Sequence, residues 1–388
     1  MKKKIAIIGV GSGGAITALH YLLHQKEDVE IDIYYDSHHH PLESVGQSTT
    51  VEVTETIARA LECNWKDNPI DSTLKTGILY ENWSKTEKEF FHPFFYMGGV
   101  AMHYTPILLA NVLVNHPAFN CIQKEILDPE KDIDADYIFD CRGKNNRNPE
   151  NYETVTNPLN TVLLARARYK DPEQLWTRCI ATKNGWAFVI PDKVSTSFGY
   201  MYNKDITDKV DAKLDFFENI VIPNSKEEFK FEGGFDFENY IAKNMFVGER
   251  TILNGNRYSF IEPLEATSIT SYLQVARTSI DHIFHGMHKH DCNQNMYNYQ
   301  KQVEKFILWH YKTGSKFDTP FWKYAKELSF TADEQFNKCL SNDFGDRQYY
   351  GQWDSRSFKL WEDHVRQDDK DVVDDEYVYG QQEEQVVQ

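Results

Sequence analysis

The residues Gly9-Val10-Gly11-Ser12-Gly13-Gly14 have the spacing G-x-G-x-x-G, and each glycine in such a turn has its own task. Gly9 makes the tight turn, Gly11 lets the backbone approach a pyrophosphate, and Gly14 lets a helix pack closely on a strand. The N-terminus of the helix that follows offers free N–H donors to phosphate oxygens. Asp36 stands 22 residues after Gly14, where a carboxylate accepts ribose hydroxyls. This set predicts a bound dinucleotide without separating a flavin from a nicotinamide. A second centre is Glu265, in Phe260-Ile261-Glu262-Pro263-Leu264-Glu265-Ala266-Thr267. There a loop enters a helix, so the free N–H groups near Thr267 and Ser268 make a natural anion site. Taken singly, Glu265 would be a first-turn acid stabilising that helix, and Lys75 a solvated side chain.

These groups need elements to hold them. Lys4–Val10 is an apolar run of strand length, Ala15–His24 has helical spacing, and Val29–Tyr35 alternates as a second strand. Asp136–Asp140 reads as a third strand of the same sheet. From Asn160 to Tyr202, short alternating runs broken by Asn-Gly and Pro predict antiparallel strands, which makes the sheet system mixed. After Ser268 the pattern turns helical to about Phe284, and the rest to Arg366 is Trp-, Tyr- and Lys-rich with helical spacing. The expected fold is α/β: a Rossmann-like body over residues 1–290 with an inserted antiparallel sheet at about 155–245, then a helical lobe over 291–366. Without a repeat or a Pro-rich linker, the two parts should share one interface. Residues 367–388, rich in Asp and Glu and ending in Gln, read as a solvated acidic tail.

Composition narrows the partners. A net charge of −17 repels a phosphate backbone and argues against nucleic acid. The six cysteines show neither paired metal spacing nor the density of a secreted scaffold, which predicts reduced thiols and a cytoplasmic setting. No 18-residue apolar span or signal-peptide pattern occurs, so no membrane association is expected. No metal is expected either. His38-His39-His40 and the set His282, His285, His288 and His290 have spacings that suit no common tetrahedral site. Aromatic residues make up 14%, enough to line a pocket for a flat ligand beyond what packing requires.

Five segments also follow one known pattern. Val45-Gly46-Gln47-Ser48-Thr49 resembles a Gly-Glu-Ser/Ala-Thr segment, with Gln47 in place of the Glu. Thr73-Leu74-Lys75-Thr76-Gly77-Ile78, followed by Glu81-Asn82-Trp83, resembles a catalytic-lysine segment, and Phe91-His92-Pro93-Phe94 resembles a His-x-Phe substrate element. Gly185-Trp186-Ala187-Phe188-Val189-Ile190-Pro191 is similar to Trp-x-Trp-x-Ile-Pro, with Phe188 for the second Trp and Gly199-Tyr200-Met201-Tyr202 after it. Glu262-Pro263-Leu264-Glu265-Ala266-Thr267-Ser268 resembles a segment that usually carries Ser and Gly where this chain has Ala266 and Ser268. Together they resemble the flavin-dependent halogenases, of the tryptophan-halogenase type, from Lys4 to about Gln274.

The resemblance implies a Rossmann-like FAD-binding body of the flavin-monooxygenase type. FAD would lie on Gly9, Gly11, Gly14 and Asp36 and along Gly46, Ser48 and Thr49. Reduced flavin supplied by a separate reductase, O2 and a halide held at Thr267 and Ser268 would yield hypohalous acid. That oxidant would pass a tunnel lined by Trp186, Phe188, Ile190 and Pro191 to Lys75 and Glu265. The acceptor would be an electron-rich aromatic small molecule flanked by His92 and Phe94. The departures at Ala266 and Ser268 lead to the expectation that bromide or iodide is used at least as well as chloride. The sequence identifies neither the substrate nor the oligomeric state, and a homo-oligomer remains open. Two rivals stand: a flavin-dependent aromatic hydroxylase, which has no use for Lys75, and a non-catalytic flavin or nucleotide-binding protein. Only 123 residues follow Glu265, a shorter stretch than in the large tryptophan-specific enzymes, so their amino-acid-binding residues are not carried over.

Overall fold

The computed structural model describes residues 2–36, 45–63, 65–66, 68–144, 147–169, 171, 173–225, 228–335 and 353–365. The acidic tail, Cys339 and His38 to His40 lie outside the described residues.

Parallel strands covered on both faces bury consecutive residues, and residues 5–8 of Lys3–Ile8, 31–34 of Val29–Tyr35 and 138–140 of Tyr137–Asp140 do so, although Asp32 and Asp140 are polar. They pair in parallel, Ile7 lying opposite Ile33 on one side and Phe139 on the other. Asn120–Gln123 extends the sheet beyond Val29–Tyr35. Thr251–Leu253 extends it beside Tyr137–Asp140, and Phe246–Val247 closes that edge antiparallel. Because the core strands run the same way, the loops after Ile8, Tyr35, Asp140 and Leu253 emerge at one edge, where open α/β sheets bind ligands. The predicted strands and the helix Ser12–Gln25 are all present, within two or three residues of their expected ends.

The second sheet has seven strands in the order Phe229–Asp236, Thr161–Ala167, Thr196–Tyr202, Gly185–Pro191, Thr177–Thr182, Gly77–Glu81, Glu89–Pro93. It is antiparallel except where Thr177–Thr182 runs parallel to Gly77–Glu81. Two of its strands therefore precede residue 155, and these are the ones that carry the segments around Lys75 and His92. A small sheet of Gln47–Ser48, Ala101–Tyr104 and Thr73–Lys75 joins the two larger ones, with Lys75 opposite Ala101.

The helices Thr267–His285, Lys289–Thr313, Pro320–Gln335 and Ser355–Val365 complete the described chain. One continuous apolar core contains Ile5, Leu273, Phe306 and Trp361, so the sheet body and the later helices share their interior. A large part of the aromatic excess is here: Trp83, Trp309, Tyr311, Trp322, Trp353 and Trp361 meet at ring-centroid distances between 5 and 7 Å, in edge-to-face and tilted pairs. Among the described residues, no helix is long and apolar enough to cross a membrane.

Candidate active site

The glycine turn has the geometry that its spacing predicts. Gly9 has φ +104°, a conformation that side chains resist, and a Cβ on Gly14 would lie 2.0 Å from the Gly9 carbonyl oxygen. A Cβ on Gly11 would meet nothing within 4 Å, so space is left for a ligand to come against the backbone there. Gly13, to which the sequence assigned no task, packs on Gly255, whose Cα would be 2.6 Å from an added Cβ. Asp36 is exposed just past the second strand. Asp140, at the end of the third strand, holds Arg142 at 2.8 Å and Arg257 at 3.1 Å, and these place two further cations at the same sheet edge. These residues fit a dinucleotide. Gly11→Val is expected to lose FAD binding by filling that space, with less than about a tenth of the wild-type affinity in a fluorescence titration.

A polar chain leads from this turn into the interior. Ser12 Oγ, the Tyr104 hydroxyl and Gln47 Oε1 lie 2.8 to 3.0 Å from one another, and the two hydroxyl protons serve two of these three contacts, with Gln47 Oε1 only accepting. The next two residues hold Lys75: its Nζ donates to Ser48 Oγ at 2.7 Å and to the Thr49 carbonyl at 3.1 Å. Gly46 lies against Asp192, whose Oδ1 would be 2.5 Å from an added Cβ, and its N–H donates to Ser197. The helix that follows, Val51–Ala60, starts after Thr50.

Lys75 is 1% exposed, so it is not the solvated lysine that its type suggests in isolation. Its Nζ stands 4.9 Å from the Phe94 ring centre. Burial pushes its pKa down to about 7, against an upward pull from the Glu265 carboxylate. Glu265, 4% exposed, sits at φ +64° and is followed by Ala266 at φ +53°. Two successive left-handed residues without glycine are strained, and strain of this kind survives where the surroundings fix it. Here the surroundings do so: Glu265 accepts from the Tyr80 hydroxyl on Oε1 and from Trp353 Nε1 on Oε2 at 2.6 Å. His310 Nε2 lies 3.7 Å from Oε1. The other His310 nitrogen contacts the Phe306 carbonyl at 2.8 Å, where it donates, and burial lowers the ring's pKa to about 3, which keeps it neutral. His92 is fully buried, pairs with Ser357 Oγ at 2.7 Å, and rests against Trp353 with 4.9 Å between centroids and against Phe94 with 5.8 Å. Burial, reinforced by the Lys75 charge, lowers it to about 3.

Thr267 begins the helix Thr267–His285 directly after the 3-10 turn Leu264–Ala266, and no side-chain hydrogen bond caps its N-terminus. The Ser268 hydroxyl turns back to the Ile261 carbonyl at 2.8 Å. Trp186, Phe188, Ile190 and Pro191 line one strand, on which Trp186 and Phe188 lie 6.2 Å apart. Gly199 on the neighbouring strand makes room for Phe188, whose ring would lie 2.2 Å from an added Cβ. Trp186 Nε1 donates at 2.8 Å to Glu262, a buried carboxyl that also accepts from Tyr311 and Asn157 and whose pKa burial raises to about 7.

Tyr80, Glu262, His310, Trp353 and Ser357 are the polar neighbours that the sequence did not single out. Tyr80 falls between two quoted segments, on the strand Gly77–Glu81, and Glu262 sits inside a quoted segment, in the loop after the strand Ser259–Phe260. Trp353 lies 88 residues beyond Glu265, with no local pattern to mark it. Among the described residues, no group of three or more His, Cys, Asp or Glu gathers as a metal site, and the His282 ring instead meets the Met287 carbonyl at 2.7 Å.

Known proteins share part of this sequence and the fold. Tryptophan 7-halogenase KtzQ from Kutzneria sp. (strain 744) is 22% identical over 203 residues, covering 48% of this chain and 37% of that enzyme. Tryptophan 6-halogenase SttH from Streptomyces toxytricini is 26% identical over 161 residues, covering 39% of this chain and 29% of its own length. The chain thus matches less than two thirds of the length of these curated relatives. Among solved structures, Tar14, a tryptophan C-6 flavin-dependent halogenase (chlorinase) from taromycin biosynthesis, superposes with a TM-score of 0.76 at 17% identity, over 92% of this chain and 89% of that one. This likeness supports the FAD-binding Rossmann-type fold. The sequence profile of the family described as tryptophan halogenase matches residues 4–107 and 110–363, and the chain belongs to that family.

Proposed function

We propose that this protein is a flavin-dependent halogenase that places a halogen on an electron-rich aromatic molecule, with Lys75 and Glu265 at the reacting centre. The observation that carries this reading is the buried Lys75, tied through Ser48 and Gln47 to the glycine turn and close enough to Glu265 for their charges to interact. Gly9, Gly11, Gly14 and Asp36 would hold FAD, with Gly46, Ser48 and Thr49 on the segment that Gln47 joins to Ser12 of that turn. When bound and reduced by a separate flavin reductase, FAD supplies with O2 the oxidising power that turns halide into hypohalous acid.

The chain's own residues do the rest. Thr267 and Ser268 offer helix N–H groups to the halide. Trp186, Phe188, Ile190 and Pro191 wall the passage and keep water and the organic acceptor from the flavin side. Ser48 and Thr49 take two N–H groups of Lys75, so the neutral amine presents its lone pair to the halogen. His92 and Phe94 flank the acceptor ring. Glu265, fixed by Tyr80, takes the ring proton, a step typically worth on the order of 10² to 10⁴ in rate. Confinement makes a diffusible oxidant selective for one positioned carbon.

The hydroxylase reading leaves Lys75 without a task, and the non-catalytic reading makes its burial beside Glu265 accidental. Product mass with FAD, flavin reductase and halide separates all three: a halogen-for-hydrogen exchange supports the proposal, whereas an added oxygen or no product overturns it. Within it, bromide or iodide is expected to serve at least as well as chloride. Larger halides shed their hydration at lower cost, and Ala266 takes a hydroxyl from the anion site. Product yields at saturating halide, with catalase present and Lys75→Ala as control, check this, and a higher chloride yield would refute it.

A further inference from the structure

The acceptor side of the site is filled by the chain itself. Trp353 is fully buried, donates its indole N–H to Glu265 Oε2 at 2.6 Å and leans on His92 at 4.9 Å between centroids. His310, Phe306 and Phe358 enclose it at 5.3, 5.5 and 5.2 Å. Four residues on, Ser357 bonds His92, so the segment is fastened to both sides of the reacting centre. Indole is among the most electron-rich side chains, and the ring carbons beside its nitrogen are the ones nearest the carboxylate. Of the eight tryptophans, Trp186 also bonds a carboxylate, but that partner is Glu262 on the passage wall.

We propose that Trp353 is an internal acceptor, halogenated by the protein's own oxidant when no external arene has displaced it. This rests on the halogenase reading above. In the step, the O–X bond of hypohalous acid breaks, oxygen leaving as hydroxide with the bonding pair, and a C–X bond forms on the indole. The ring proton passes to Glu265 and then to the hydroxide, giving water. Reduced flavin, O2 and halide are the only co-reactants. An external arene competes with Trp353 for Glu265, so its presence protects the tryptophan.

The test uses the full chain loaded with FAD, with flavin reductase, bromide, O2, catalase and free methionine to trap escaped oxidant, with and without added indole. Peptide mass mapping is expected to find one bromine for one hydrogen on Trp353 and none on Trp65, which is 41% exposed and would report free oxidant. Added indole should lower the Trp353 label as brominated indole appears. Lys75→Ala and Lys75→Met should lower it at least about tenfold while flavin oxidation continues. Equal labelling of Trp65 and Trp353, or brominated indole with Trp353 unchanged, overturns the internal acceptor and leaves the halogenase reading standing. If neither indole nor Trp353 is brominated while flavin is oxidised, the halogenase reading falls and the internal acceptor with it.

Discussion

Lys75→Met is expected to oxidise reduced flavin at the wild-type rate while its halogenated product falls by on the order of 10² to 10⁴. In the proposed mechanism the lysine acts after the oxidant has formed, so only the later step should suffer. Methionine nearly preserves the volume, which separates loss of the amine from a cavity. The stability comparison has a definite sign. The folded pKa of Lys75 is lowered by burial to about 7 while the unfolded chain keeps the ordinary value near 10.5, so between these limits the unfolded state holds more protons. Stability therefore rises with pH across that window, and the burial penalty is fully present below it. Lys75→Met removes the penalty and is expected to melt no lower than wild type, with its advantage greatest at acidic pH. The pH profile tests the neutral-amine role in the wild-type protein. Product per flavin oxidised should climb as pH passes through about 7, since the ammonium has no lone pair. A profile that falls through the same range would instead assign Lys75 a charged, hydrogen-bonding part.

Which features were legible from sequence follows from the range of the interactions that make them. The glycine turn is local, so its spacing disclosed both the strand–turn–helix and the reason for each glycine, and Gly9, Gly11 and Gly14 have the predicted geometry. The first two strands and the helix Thr267–His285 followed from periodicity over one element. Lys75 was different. Nothing in Thr73-Leu74-Lys75 distinguishes a buried from a solvated lysine, and only the resemblance pointed inward. Its burial depends on Ser48 and Thr49, brought alongside by pairing to Ala101–Tyr104, a contact over about 26 residues that no local window contains. The seven-stranded sheet was read as an insertion at about 155–245, yet it recruits Gly77–Glu81 and Glu89–Pro93, because strand partnership is a long-range choice that alternation cannot encode. Trp353 and His310 lie furthest from legibility. His310 is one aromatic residue within the helix Lys289–Thr313 and Trp353 stands among polar neighbours just before the helix Ser355–Val365, and nothing local marks either until the fold sets it against Glu265.

Glu265→Gln is expected to fold, bind FAD and oxidise it, yet to lose about two to four orders of magnitude in halogenated product. The amide has one oxygen and one NH2 group where the carboxylate has two acceptors. Trp353 Nε1 can only donate, so the amide oxygen must face it, and the NH2 group must face Tyr80, whose hydroxyl can turn and accept. Both neighbours keep a hydrogen bond to the side chain, and the substitution leaves the backbone at Glu265 and Ala266 unchanged. Glu265→Ala makes the contrast, since it leaves the Trp353 N–H buried without an acceptor and is expected to cost about 1–3 kcal/mol of stability. What the glutamine loses is basicity. If Glu265 removes the ring proton, that removal becomes slow in Glu265→Gln, and an acceptor deuterated at the reacting carbon should show a primary isotope effect absent from the wild type. An equal loss of product with no isotope effect would mean that Glu265 only polarises the halogen donor, and proton removal would then have to be reassigned to another base.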